Sequence, residues 1–300
     1  MSVGAPPWKV SLHGGHSSEF CDHASSPLRE MLEAAVRAGY HTFGVTEHAP
    51  RVEERFLYPQ EVAMGWDVPR LLANFERYAQ TLPALAEEYA DRLTVLRGFE
   101  VEVVPADSYV PLMQSYRQRY QMEYCVGSVH YVDEVSIDGS LEEFQQAMEA
   151  CGGLEALAIR YYHAVAEMVE ALRPEVVAHL DLVKLHGHRF GALDTPAIRH
   201  AAKEALEVIR ETGSILEVNT AGYRKGLGEP YPAPWLVQTA AQMGVGFCFG
   251  DDSHHVQQVG FGIEQAREYL LGLGVRAVTV LVREKSGLRS EVRSLLDCAT

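Results

Sequence analysis

Short β-rich segments alternate with longer amphipathic stretches along almost the whole chain. WKVSL (8–12), HTFGVTE (41–47), LTVLRGFEVEVV (93–104), MEYCVGSVHYV (122–132), EVVAHLDLV (175–183), GSILEVNT (213–220) and VGFCFGD (245–251) read as strands. Residues 26–40, 68–90, 141–152, 157–173, 195–213 and 233–244 read as helices, because their apolar positions recur every three or four residues. Such alternation predicts a parallel sheet covered by helices, since each crossover helix returns the chain to the same strand direction. The expected fold is α/β, a distorted (β/α)7 TIM-like barrel. AVTVLVRE (277–284) follows the seventh unit as an extra strand or an appendage. No repeat, linker or low-complexity stretch divides the chain, so residues 1–300 are read as one barrel domain.

Composition narrows the partners. With 47% hydrophobic and 22% charged residues the chain can bury a large core. Its formal net charge of −15 disfavours nucleic acid and anionic membranes, both of which need a basic surface. No basic segment leads into an apolar run at the N-terminus, and no run approaches the ~20 apolar residues that span a bilayer. A cytoplasmic protein is expected. Cys21, Cys125, Cys151, Cys248 and Cys298 form no CxxC pair and read as reduced thiols.

In a barrel of this kind chemistry gathers at the C-terminal ends of the strands. There the sequence places His13, His16 and His23, then Glu47 and His48, Glu100 and Glu102, His130, His179 and Asp181, Glu217 and Asn219, and finally Asp251, Asp252 and His254. Imidazole and carboxylate are the usual ligands of Zn, Mn and Fe. One ion cannot use so many, so two to three divalent ions are expected, with Glu100 best placed to bridge them. Glu102 shares a strand face with Glu100 and is a supporting residue or a contact for a cationic substrate. His163, His186, His188 and His200 fall in helices or in a rim loop and are read as ordinary residues.

LHGGHSSEFCDHA, VTEHAPR, GFEVE, VGSVH, VAHLD, EVNTAGYRKG and GDDSH occur in an order and spacing that resembles the PHP superfamily of metal-dependent phosphoesterases, and its histidinol-phosphatase branch in particular. The resemblance runs from about residue 10 to 262. It implies a trinuclear metal site: His13 and His16 on the first ion, His23 and His48 on a neighbour, Glu100 as bridge, His130 and His179 on the third, with Asp252 and His254 completing the set. The family's HxH pattern is broken, because Gly14 stands two residues before His16. Either His13 reaches its ion through a glycine-permitted bulge, or that ion has one protein ligand fewer.

The activity so implied is hydrolysis of L-histidinol phosphate, a step of histidine biosynthesis, by a metal-bound hydroxide. Hydrolysis of another small phosphomonoester is the alternative. Asp252 and His254 are the expected catalytic groups. Arg51 is expected to act on the phosphate in both binding and catalysis, joined by Arg224 and Lys225, while Glu102, Glu217 and Asp181 are the candidates for the substrate's cationic end.

Overall fold

The computed structural model describes residues 5–285 and 287–297. Cys298 lies outside those residues; the other four cysteines are free thiols. Seven short strands, β1 (Val10–Ser11), β2 (Thr42–Val45), β3 (Thr94–Arg97), β4 (Val126–Gly127), β5 (Val176–Val177), β6 (Ile215–Asn219) and β7 (Phe247–Gly250), are all parallel to their neighbours. β1 to β3 form one sheet and β4 to β7 another.

Main-chain hydrogen bonds just past the regular strands cross both gaps. Val126 N–H donates to Phe99 O (2.9 Å) and Val101 N–H to Val126 O (2.8 Å) on one side. On the other, Leu12 N–H donates to Phe249 O and His16 N–H to Ser253 O, both at 2.8 Å. Spatial neighbours are therefore consecutive in the chain all the way round, as a distorted (β/α)7 barrel requires.

The regular strands are shorter than their apolar runs. Of residues 93–104 only Thr94–Arg97 pair regularly, and residues 122–132 divide between β4 and a small antiparallel hairpin, Tyr131–Val132 with Val135–Ser136. The residues beyond each strand leave the sheet because they turn polar side chains into the barrel mouth. The six expected helices form within a few residues of their predicted bounds; short ones of four or five residues stand at Pro59–Ala63, Lys184–Gly187 and Ala221–Arg224, and two longer ones appear at Tyr109–Arg119 and Ile263–Gly272. The first of these buries only Met113 and Tyr116, too thin an apolar stripe to be read as periodicity.

The barrel interior is apolar below the mouth. Leu12, Leu96, Val126, Val176, Ile215 and Cys248 meet there around Tyr124, whose hydroxyl donates to Leu12 O at 2.7 Å. A Cβ on Gly44 would lie 1.8 Å from that hydroxyl, so β2 yields its interior volume to Tyr124. The bottom is closed by β8 (Ala277–Glu284), paired antiparallel with β9 (Gly287–Ser294), which adds Leu281 to the interior cluster. AVTVLVRE is thus an extra strand, in a hairpin outside the parallel ring. A second apolar layer, between the ring and its outer helices, holds most of the remaining core.

Candidate metal centre

The C-terminal ends of the strands converge on Glu100, which is 1% exposed. Its Oε2 lies 3.4 Å from His13 Nε2, 3.4 Å from His16 Nε2 and 3.1 Å from His48 Nδ1. Its Oε1 lies 3.3 Å from both His130 Nε2 and His179 Nε2. Asp252 Oδ1 approaches the first group as well, 3.7 Å from His13 Nε2 and 3.5 Å from His16 Nε2. One carboxylate thus turns its two oxygens to two sets of imidazoles. Burial alone would raise the Glu100 pKa, but His13, His48 and His130 hold it well below the usual carboxylate range.

Behind the rings stands a layer of buried carboxylates. Glu217 Oε1 is 3.0 Å from His13 Nδ1, and Glu102 Oε2 is 3.2 Å from His130 Nδ1. A neutral imidazole so held carries its proton on Nδ1 and leaves the Nε2 lone pair free, which is how metal-ligating histidines are oriented. Glu217 also accepts from the His179 backbone N–H (2.9 Å) and Asn219 Nδ2 (3.0 Å). Glu47 accepts from the Ser17 N–H and hydroxyl at 2.8 and 2.7 Å, with its Oε2 3.7 Å from His16 Nδ1. Burial and the adjacent His16 push the His48 pKa down to about 4, favouring the neutral ring.

Local backbone conformation makes the convergence possible. A Cβ on Gly14 would sit 2.5 Å from Gly44 O, and Gly15 has φ +133° with its hypothetical Cβ 2.0 Å from Ser253 O. Only glycines let the end of β1 press against both β2 and β7 while His13 and His16 face the same point. His179 and Asp252 adopt φ of +22° and +47°. Such conformations cost non-glycine residues about 1–3 kcal/mol and collect at functional sites. Here they turn each side chain inward as its strand ends.

These residues suit metal ions better than they suit one another. Separations of 3.1 to 3.7 Å between ring nitrogen and carboxylate oxygen exceed a charge-assisted hydrogen bond, yet match the roughly 3.4 Å edge of a tetrahedron with ~2.1 Å bonds. His13 Nε2, both His16 nitrogens, His48 Nδ1, His179 Nδ1 and His254 Nε2 are buried without a hydrogen-bond partner. Orphaned lone pairs at this density are costly unless a cation takes them. His16, His48, His254 and Cys21 bring ligand atoms together in a further group. His254 is fixed by Nδ1, 3.0 Å from Asp252 O, and its ring lies 4.6 Å from that of His23, the exposed member at the rim. Cys21 Sγ is 3.3 Å from His23 Nδ1.

Three expected substrate contacts are placed elsewhere. Arg51 is only 2% exposed: its guanidinium pairs with Glu61, lies 3.6 Å from Glu102 and stacks on Tyr58 at 3.8 Å, so it braces the wall rather than facing the mouth. Glu102 is fully buried between His48, His130 and Arg51, with no face open to a ligand. Arg224 Nη2 donates to Asp251 O (2.7 Å) and Asp252 O (2.9 Å), tethering the end of β7 from behind. A charged group inside a barrel wall needs such partners, and here they come from other segments of the chain, Glu61 and Glu102 for Arg51 and the Asp251 and Asp252 carbonyls for Arg224. Lys225 does line the open cavity, of about 580 Å³, into which Glu100, His130, His179, Asp252 and His254 also project. His163 and His200 both face Glu204, His186 Nε2 lies 3.1 Å from Gly139 O, and His188 Nδ1 2.8 Å from Lys184 O, all apart from the cluster. Asp181 is held by Lys184 (3.0 Å) and the Ala233 N–H (2.8 Å).

Comparison with known proteins agrees with this geometry. The chain is 31% identical over 294 residues to the "Probable histidinol-phosphatase" of Schizosaccharomyces pombe, covering 95% of this chain and 94% of that one. It is 28% identical over 292 residues to the "Histidinol-phosphatase" of Saccharomyces cerevisiae, covering 86% and 87%. The fold matches, with a TM-score of 0.67 and 18% identity over 91% of this chain and 96% of the other, the crystal structure of histidinol phosphate phosphatase from Lactococcus lactis complexed with zinc, L-histidinol and phosphate. The family model described as the PHP domain matches residues 13–221, which span β2 to β6 and most of the histidine cluster, and the chain belongs to that family.

Proposed function

We propose that this protein is a histidinol-phosphatase, hydrolysing L-histidinol phosphate to L-histidinol and phosphate with bound divalent metal ions, and that residues 1–300 act as one barrel domain. The observation that carries the reading is Glu100, whose two oxygens address two sets of imidazoles at the floor of an open cavity, the first set with nitrogens that lack a hydrogen-bond partner. His13, His16, Glu100 and Asp252 would hold one ion; Glu100, His130 and His179 a second; His48 and His254, with His23 at the rim, a third. Zinc is the first choice, with Mn and Fe also suited to these donors. Such ions, when bound, neutralise phosphoryl oxygens and lower the pKa of water.

The chain's own groups do the rest. Lys225 offers the ester's phosphate an unpaired ammonium in the cavity. Asp252 also lines the cavity; Asn219 Nδ2 donates to its Oδ2 at 3.4 Å while Oδ1 faces His13 and His16, and the carboxylate so fixed would orient the attacking water. His254 keeps Nε2 directed at the cavity because Nδ1 is occupied by the Asp252 carbonyl. Glu217 and Glu102 hold the protons of His13 and His130 on Nδ1, away from the reaction. The test is phosphate release from L-histidinol phosphate beside a panel of other phosphomonoesters, with bound metal counted on the same samples. A preference of orders of magnitude, scaling with two to three ions per chain, is expected. Metal binding with preference for another ester would retain the chemistry and refute the substrate.

A further inference from the structure

The cavity is lined by four carboxylates, and three of them have occupations. Glu100 and Asp252 face the imidazoles. Glu143 caps its own helix, Leu141–Cys151, with Oε2 accepting from the Ser140 N–H and hydroxyl at 2.7 Å. The fourth is Asp138, and among the described residues nothing donates to it or pairs with it. Lys225, the one lysine or arginine lining the same cavity, is also without a side-chain partner, and the two do not pair with each other. Two opposite charges left apart in one cavity are complementary to a ligand that carries both signs.

Asp138 is held ready for that task. It lies in the turn between the Val135–Ser136 strand and the helix Leu141–Cys151, and the turn is fixed from both sides. The Ile137 N–H donates to His130 O at 2.9 Å, the Gly139 N–H to Ser136 Oγ at 3.2 Å, and His186 Nε2 lies 3.1 Å from Gly139 O. The segment that carries Asp138 is thus tied to the backbone of a cluster histidine. Its negative field reaches His130, Tyr58 and Tyr231 around the cavity.

We infer that Asp138 is the counter-ion for the substrate's primary ammonium and so determines specificity for an amino-bearing phosphomonoester. The inference rests on the histidinol-phosphate reading and gives it a residue. Phosphate binds at the ions and Lys225, and the amine of the same molecule meets Asp138. Glu102, Glu217 and Asp181, the other acids near the strand ends, are already engaged by protein donors.

The experiment compares kcat/KM for L-histidinol phosphate and for its desamino analogue, 3-(imidazol-4-yl)propyl phosphate, in metal-loaded wild type, Asp138→Asn and Asp138→Glu. Loss of a charge-assisted contact should reduce the ratio of the two by on the order of 10- to 100-fold in D138N, through KM rather than kcat, with most of the ratio regained in D138E. A general structural defect would depress both esters together and leave the ratio unchanged. A D138N ratio within about twofold of wild type overturns the assignment alone. Wild-type protein that does not distinguish the two esters overturns the substrate reading, and the assignment with it.

Discussion

Glu102 has no exposed surface, yet it touches two cluster imidazoles and the one guanidinium that braces the wall beside them. Glu102→Gln keeps the shape and removes the charge, so it should weaken metal binding by roughly 10- to 100-fold, the usual penalty for losing a carboxylate behind a ligating histidine. Competition with a chromophoric chelator would measure it, and unchanged affinity would refute the positioning role. Gly14→Ala acts on the same centre from the backbone. Its methyl would meet Gly44 O and the Phe43 ring, which should cost about 1–3 kcal/mol in denaturant unfolding and lower metal content by displacing His13. Lys225→Ala should raise KM for a phosphomonoester by about 10-fold, with a smaller change in kcat. At this scale the sequence was informative about residue type and less so about direction. His13, His16, Glu100, His130, His179 and Asp252 could be picked out because donors recur at every strand end. That Arg51, Arg224 and Glu102 turn away from the cavity depends on partners such as Glu61, Tyr58 and the Asp251 carbonyl, which no spacing rule brings near. Asp138 escaped notice because its turn follows a hairpin whose first strand, Tyr131–Val132, is merged into the apolar run of residues 122–132.

The strands were legible in number, order and direction, and less so in length. Apolar runs continue past the last paired residue because the interior and outer core layers both extend beyond the hydrogen-bonded ladder, as Val101, Val103 and Val104 do after β3. The terminal hairpin was half legible: AVTVLVRE has strand composition, whereas GLRSEVRS is too polar to look like its partner. The hairpin supplies the barrel floor, so Leu281→Ala should cost about 2–5 kcal/mol of stability, the range for emptying a buried leucine site. Because Leu281 belongs to the apolar layer with Leu12, Leu96 and Tyr124, its truncation should leave the number of bound ions unaltered. Chemical denaturation paired with elemental analysis would separate the two effects, and loss of metal from protein that is still folded would show that floor and mouth are not independent.

For the molecule as a whole, the mouth is a concentration of buried charge and orphaned lone pairs that the apolar floor cannot compensate. Ions bound to the folded state add stability by mass action, and a ligand present at 100 times its Kd contributes about 2.7 kcal/mol per site. Chelated protein should therefore melt several degrees lower than the loaded form, with the midpoint restored by adding metal back. A midpoint indifferent to chelation would mean that the cluster is satisfied without ions. No helix among the described residues is long and apolar enough to cross a membrane. The bond from the His16 N–H to Ser253 O, which closes the ring between β1 and β7, carries a consequence for how the protein is made. Its two ends are separated by almost the whole described chain, so during synthesis His13 and His16 wait beside an incomplete wall until β7 arrives. Ions held by His13, His16 and Asp252 together would therefore report that the last strand has docked, making metal uptake a readout of ring closure.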